Sequence, residues 1–104
     1  MATSFDNDGR YAFPGTPLTD RQRELLGILQ EECAEVIQAA SKLIRFGIES
    51  YPGYGENRQV LGLEIGDLQE MITLVGQEQL ISVVDVTAGQ VRKRDRLKRF
   101  MKNV

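Results

Sequence analysis

Two stretches of this chain combine helical apolar periodicity with carboxylates set into the apolar face. In LLGILQEECAEVIQAASKLI, apolar residues recur three and four apart over residues 25–44, the spacing of an α-helix that buries one side. Glu32 and Glu35 lie i, i+3 in that run, and Glu64 and Asp67 lie i, i+3 in VLGLEIGDLQEMITLV. Residues so spaced project from one helix face. On a helical projection Glu64 falls near the middle of the stripe made by Val60, Leu61, Leu68, Met71, Ile72 and Val75, with Asp67 inside the same stripe. Glu32 shares its face with Leu25, Ile28, Leu29 and Val36, and Glu35 sits at the edge. A carboxylate turned toward a core is costly unless its charge is compensated. Four of them on two helices point to one shared compensating agent, a divalent metal.

The chain divides into an arm and one helical domain. Residues 1–18 are rich in Gly, Pro, Asp, Asn and Thr and read as an irregular arm, with Tyr11, Phe13 and Leu18 available to strap it onto a surface. Residues 19–104 form the domain. Thr19 with Gln22 is a capping-box pattern, and Gly47 is the expected stop of a first helix of about seven turns. FGIESYPGYGEN, with Pro52 and three glycines, reads as a loop. Asn57 is the expected cap of a second helix ending at Gly76. Gly62 and Gly66 on its polar side each cost about 1 kcal/mol relative to alanine; a close neighbour justifies that cost, and a weak helix is the alternative. Ser82 with Asp85 starts a third helix reaching about Met101. A strand over LISVVDV is the competing reading, but an isolated strand has no pairing partner. The expected fold is therefore all-α, an antiparallel helical bundle. Its wide apolar stripes call for completion by homo-oligomerisation, as a homodimer or homotetramer.

Composition narrows the chemistry. The 104 residues are enough for one domain, and 41% hydrophobic with 27% charged residues is an ordinary globular balance. The chain has no histidine, which removes the commonest general base and zinc ligand and the Glu-x-x-His pairs of di-iron bundles. Hard divalent cations served by carboxylate oxygens remain. The single Cys33 cannot form an internal disulfide and reads as a small core residue. The opening MATSFDNDGR has acids and no apolar core, so neither a signal peptide nor a membrane partner is expected, and a cytoplasmic location is. Net charge is -2, yet residues 92–99 hold six bases against Asp95 alone.

The wording EECAE at 31–35 and EIGDL at 64–68, followed by a Lys/Arg-rich last helix, resembles the MazG-like family of all-α nucleoside triphosphate pyrophosphohydrolases. The likeness spans roughly residues 20–102, and ECAEVIQAASKLIRFG followed by LEIGDL is similar to the short stand-alone members. It implies a MazG-like bundle and an enzyme: Mg²⁺-dependent hydrolysis of a (deoxy)nucleoside triphosphate to monophosphate and pyrophosphate. Glu32, Glu35, Glu64 and Asp67 would be the metal ligands. Glu31 and Glu35 are the catalytic candidates, Glu31 as an outer ligand or as the group that orients the attacking water. Lys93 and Arg96 match the family's basic motif, and Asn57 matches a polar position ahead of its second acid pair. Lys42 and Arg45 lie two turns or more beyond Glu35, within reach of the loop. Lys93, Arg96, Lys42 and Asn57 are the substrate-binding candidates. Tyr51 and Tyr54 offer rings on which a base stacks, or serve as turn residues. The alternative is a non-enzymatic helical dimer that binds nucleic acid or a protein partner through the basic C-terminal helix. The low isoelectric point and the lack of aromatics among those bases count against nucleic acid.

Overall fold

The computed structural model describes residues 4–5, 11–12, 15–49 and 56–103. Three helices dominate: α1 (Asp20–Phe46), α2 (Asn57–Gln77) and α3 (Val83–Phe100). The architecture is all-α apart from two two-residue strands in the arm, β1 (Ser4–Phe5) and β2 (Tyr11–Ala12). They pair antiparallel, Ser4 opposite Ala12 and Phe5 opposite Tyr11. Strands this short leave no periodic trace in a sequence, which is why the arm reads as irregular. Phe13, Tyr51 and Tyr54 lie outside the described residues.

Capping sets the limits of α1. The Gln22 N–H donates to Thr19 Oγ1 (3.0 Å), and the Thr19 N–H donates to Gln22 Oε1 (2.9 Å). Two backbone donors that the helix itself leaves free are thereby satisfied. At the other end Gly47 takes φ 85°, a left-handed conformation open to a residue without Cβ, and its N–H donates to the Leu43 carbonyl.

The start of α2 corrects the expected cap. Glu56 holds the N-cap position without a side-chain cap bond, and Asn57 is the first helical residue. Asn57 is buried and its amide Nδ2 donates to the carbonyls of Gly47 (2.9 Å) and Glu49 (3.0 Å). It therefore ties the end of α1 to the start of α2. The helix also passes the expected Gly76 stop by one residue, and the left-handed Gln79 (φ 60°) turns the chain instead. In α3 the Ser82 Oγ accepts from the Val84 N–H at 3.2 Å, as the capping pattern anticipates.

α1 and α2 pack together as a hairpin. At one end Leu25, Met71 and Val75 form the buried core, flanked by Leu26, Ile28, Leu29, Leu74 and Leu80. Toward the other end Ala39 is the only buried apolar residue among those described. Ile72, expected in the core, is 40% exposed. Cys33 is exposed, contrary to its reading as a core residue, because α1 turns its Glu32 side rather than its Cys33 side to α2. Among the described residues nothing lies within 4 Å of a Cβ placed at Gly62 or Gly66, so no close neighbour there explains them.

α3 stands apart, with no buried residue. The radius of gyration is accordingly 18.5 Å, against about 13 Å for a compact chain of this length. Among the described residues, no helix is long and apolar enough to cross a membrane.

Candidate metal centre

The antiparallel packing brings the two acid pairs to one level of the hairpin. Leu25 meets Met71 and Val75 at the core end, and Glu35 and Ala39 share a cavity with Val60 and Glu64 farther along. One turn of helix advances about 5.4 Å, so Glu32 and Glu35 on α1 come level with Asp67 and Glu64 on α2. Each of the four offers a carboxylate oxygen, and these oxygens lie within 4.8 Å of one another. Glu32 and Glu64 are half-buried, while Glu35 and Asp67 are exposed at the rim.

Two atoms make the cluster chemically incomplete. Glu32 Oε2 and Glu64 Oε2 are buried and have no hydrogen-bond partner among the described residues. A buried acceptor without a donor is costly. The ion pairs among the described residues are Arg21–Glu78 and Arg58–Glu56, so no base among the described residues pairs with the four acids.

Their titration reports the same tension. The Glu32 carboxyl is raised above its ordinary value, first by desolvation, then by the charges of Glu35 and Asp67, by a hydrogen bond with Glu35 and by the Glu31 charge. The Glu64 carboxyl is also raised, first by a hydrogen bond with Glu35, then by desolvation and by the charges of Glu35, Asp67 and Glu32. Both shifts favour the protonated form, the response expected of like charges crowded together.

The donor set fits a hard divalent cation. It consists of carboxylate oxygens alone, which suit Mg²⁺, Mn²⁺ or Ca²⁺ and not a soft metal. The two orphaned oxygens are what a cation would satisfy.

The other candidates separate into those near the cluster and those away from it. Lys42 joins Glu35, Gln38, Ala39, Val60 and Glu64 around an open cavity of about 250 Å³ beside the acids. Glu31 is exposed, and its charge is felt at Glu32. Asn57 has both its amide donors engaged by the loop. Arg45 is exposed near the end of α1 and lies over the Phe46 ring at 5.1 Å. Lys93 and Arg96 are exposed on α3 and form no ion pair with the acids. The cavity residues Gln38 and Ala39 were missed from the sequence. Their signal is helical spacing alone, three and four residues beyond Glu35, and it is shared with any neighbour on that face.

Comparison with protein-family models, with curated proteins and with solved structures finds no match.

Proposed function

We propose that the protein is a Mg²⁺-dependent hydrolase that converts a (deoxy)nucleoside triphosphate to its monophosphate and pyrophosphate, in a MazG-like fold. The observation that carries this reading is the convergence of Glu32, Glu35, Glu64 and Asp67 within 4.8 Å. The EExxE and EIGD wording supplies the reaction class. In the reaction, water adds across the anhydride between the α- and β-phosphates, the bridging oxygen leaves with pyrophosphate, and one proton is given up.

The four acids would hold the cation, with Mn²⁺ able to replace Mg²⁺. When bound, the cation neutralises polyphosphate charge and acidifies a water. The chain has no histidine, so the proton goes to a carboxylate. Glu31 and Glu35 are the acceptors at hand, one exposed beside the cluster and one at its rim. Lys42, which lines the same cavity as Glu35 and Glu64, would set a positive charge beside a bound phosphate. The core formed by Leu25, Met71 and Val75 fixes the spacing of the two helices, and thereby the spacing of the acids.

The test is a pyrophosphate-release screen of the full chain with Mg²⁺ over canonical, modified and alarmone-type nucleotides. At least one substrate should release pyrophosphate, and Glu64→Gln should abolish the release. Silence across the whole panel sinks the proposal.

A further inference from the structure

The two acid pairs stand between two unlike anchors. On one side Leu25, Met71 and Val75 form the apolar core. On the other side Ala39 is the only buried apolar residue among those described, and the contacts that close the hairpin are polar. Asn57 Nδ2 donates to the Gly47 carbonyl at 2.9 Å and to the Glu49 carbonyl at 3.0 Å. The Arg58 N–H donates to the Ile48 carbonyl at 3.3 Å, a long bond. Of the ion pairs among the described residues, Arg21–Glu78 lies at the core end and Arg58–Glu56 spans two residues, so neither closes this side.

Asn57 is the one buried polar residue among those described. Its side chain is not used to cap α2, whose N-cap is Glu56. Both printed bonds of the amide run instead to the turn that follows α1, and a buried amide donor needs such acceptors. Gly47 prepares that turn. Its φ of 85° and ψ of -173° fall in a region open to glycine and nearly closed to other residues, and its carbonyl is one of the two that Asn57 holds.

The cavity of the site lies between this clamp and the acids. Ala39 and Lys42 come between Glu35 and Gly47 along α1, Val60 comes between Asn57 and Glu64 along α2, and all of them but Gly47 and Asn57 line the cavity. The four carboxylates offer oxygens within 4.8 Å of one another, and like charges at that range push the two helices apart. The core lies to one side of that push. Glu64 stands about 16 Å along α2 from Val75, so a swing of about 5° about the core would move it by about 1.4 Å. That is several times the roughly 0.2 Å within which a metal site holds its ligand distances. A second anchor beyond the acids is needed to prevent the swing, and Asn57 is placed there.

We infer, on the reading of the four acids as a cation site, that Asn57 is a positioning residue for that site. It fastens the turn after α1 to the first turn of α2. It thereby sets the separation of Glu32 and Glu35 from Glu64 and Asp67, and it touches neither cation nor nucleotide.

The test is Mn²⁺ binding by the full chain, read by electron paramagnetic resonance as loss of the free-ion signal. It is run at a temperature where circular dichroism shows each variant fully folded. Asn57→Asp keeps the shape of the side chain and removes both donors. Its added negative charge by itself favours a cation, so a weaker affinity reports lost positioning. Gly47→Ala disturbs the same anchor from the α1 side, because an L side chain rarely adopts that backbone conformation. Each should weaken Mn²⁺ binding by about 10–100-fold, the range expected when groups that orient metal ligands are lost. Asn57→Gln carries the donors one methylene farther out and should fall between these variants and the wild type. Thr19→Ala destabilises α1 at its opposite end and should leave the affinity unchanged. Wild-type affinity in folded Asn57→Asp and Gly47→Ala overturns the inference and leaves the cation site standing. An equal weakening in Thr19→Ala also overturns it, since affinity would then follow overall stability. A wild type that takes up no Mn²⁺ overturns the cation reading itself, and the inference with it.

Discussion

Removing or supplying the cation should change the stability of this chain in a pH-dependent way, with a sign that the structure dictates. In the metal-free protein, Glu32 and Glu64 both titrate above the ordinary carboxyl range. The folded state therefore binds more protons than the unfolded chain in the window between the ordinary and the raised values. Stability falls as pH rises through that window. A cation reverses the trend, because it binds the deprotonated carboxylates. Up to two protons leave for each cation bound, one from each raised group. If free Mg²⁺ is held at 100 times its dissociation constant, stability gains about 2.7 kcal/mol. For a domain of this size each kcal/mol moves the melting temperature by roughly 4–8 °C, so the expected rise is roughly 10–20 °C. The assay is thermal melting followed by circular dichroism, with chelator or with excess Mg²⁺, between about pH 5 and pH 8. In chelator the wild type should melt lower as pH rises, and Glu64→Gln should flatten that slope. In Mg²⁺ the wild type should gain and Glu64→Gln should gain far less. Equal gains in both proteins, or none in either, would refute the reasoning that these oxygens await a cation.

Three further outcomes probe what holds the site. Val75 is 1% exposed, in the core with Leu25 and Met71; Val75→Ala should cost about 2 kcal/mol, read as a lower denaturant midpoint. Asn57→Ala removes the amide that bonds the Gly47 and Glu49 carbonyls, at a cost of about 1–3 kcal/mol, with faster proteolysis at the α1–α2 connection. Thr19→Ala breaks one half of the capping box and should cost about 1 kcal/mol, visible as earlier amide exchange in the first turn of α1.

The helices were legible because their signals are local. Thr19 with Gln22 marks the start of α1 through bonds that span three residues, and Gly47 marks its end through its own backbone angle. Where a local signal was overruled, a longer-range contact did it. Asn57 has the chemistry of a cap, yet it is drawn into the hairpin by carbonyls eight and ten residues back, and Glu56 takes the cap by default. Cys33 is small and apolar enough for a core, but the face of α1 that α2 covers is the one carrying Glu32. The acid pairs were legible for the same reason as the helices: an i, i+3 spacing states which residues share a face.

The amino-acid sequence by itself determined three helices, their approximate ends and four carboxylates on the inward faces of two of them, because propensity, capping and periodicity act over a few residues. Only the tertiary structure decided that the two acid pairs stand at one level of an antiparallel hairpin. It alone decided that two of their oxygens are buried without partners, that Lys42 borders the site, and that Lys93 and Arg96 are carried away on α3. Those facts depend on the register between α1 and α2 and on the turn at residues 78–82. Both are fixed by contacts between residues far apart in the chain, Leu25 with Val75 and Arg21 with Glu78, and no short-range pattern encodes them.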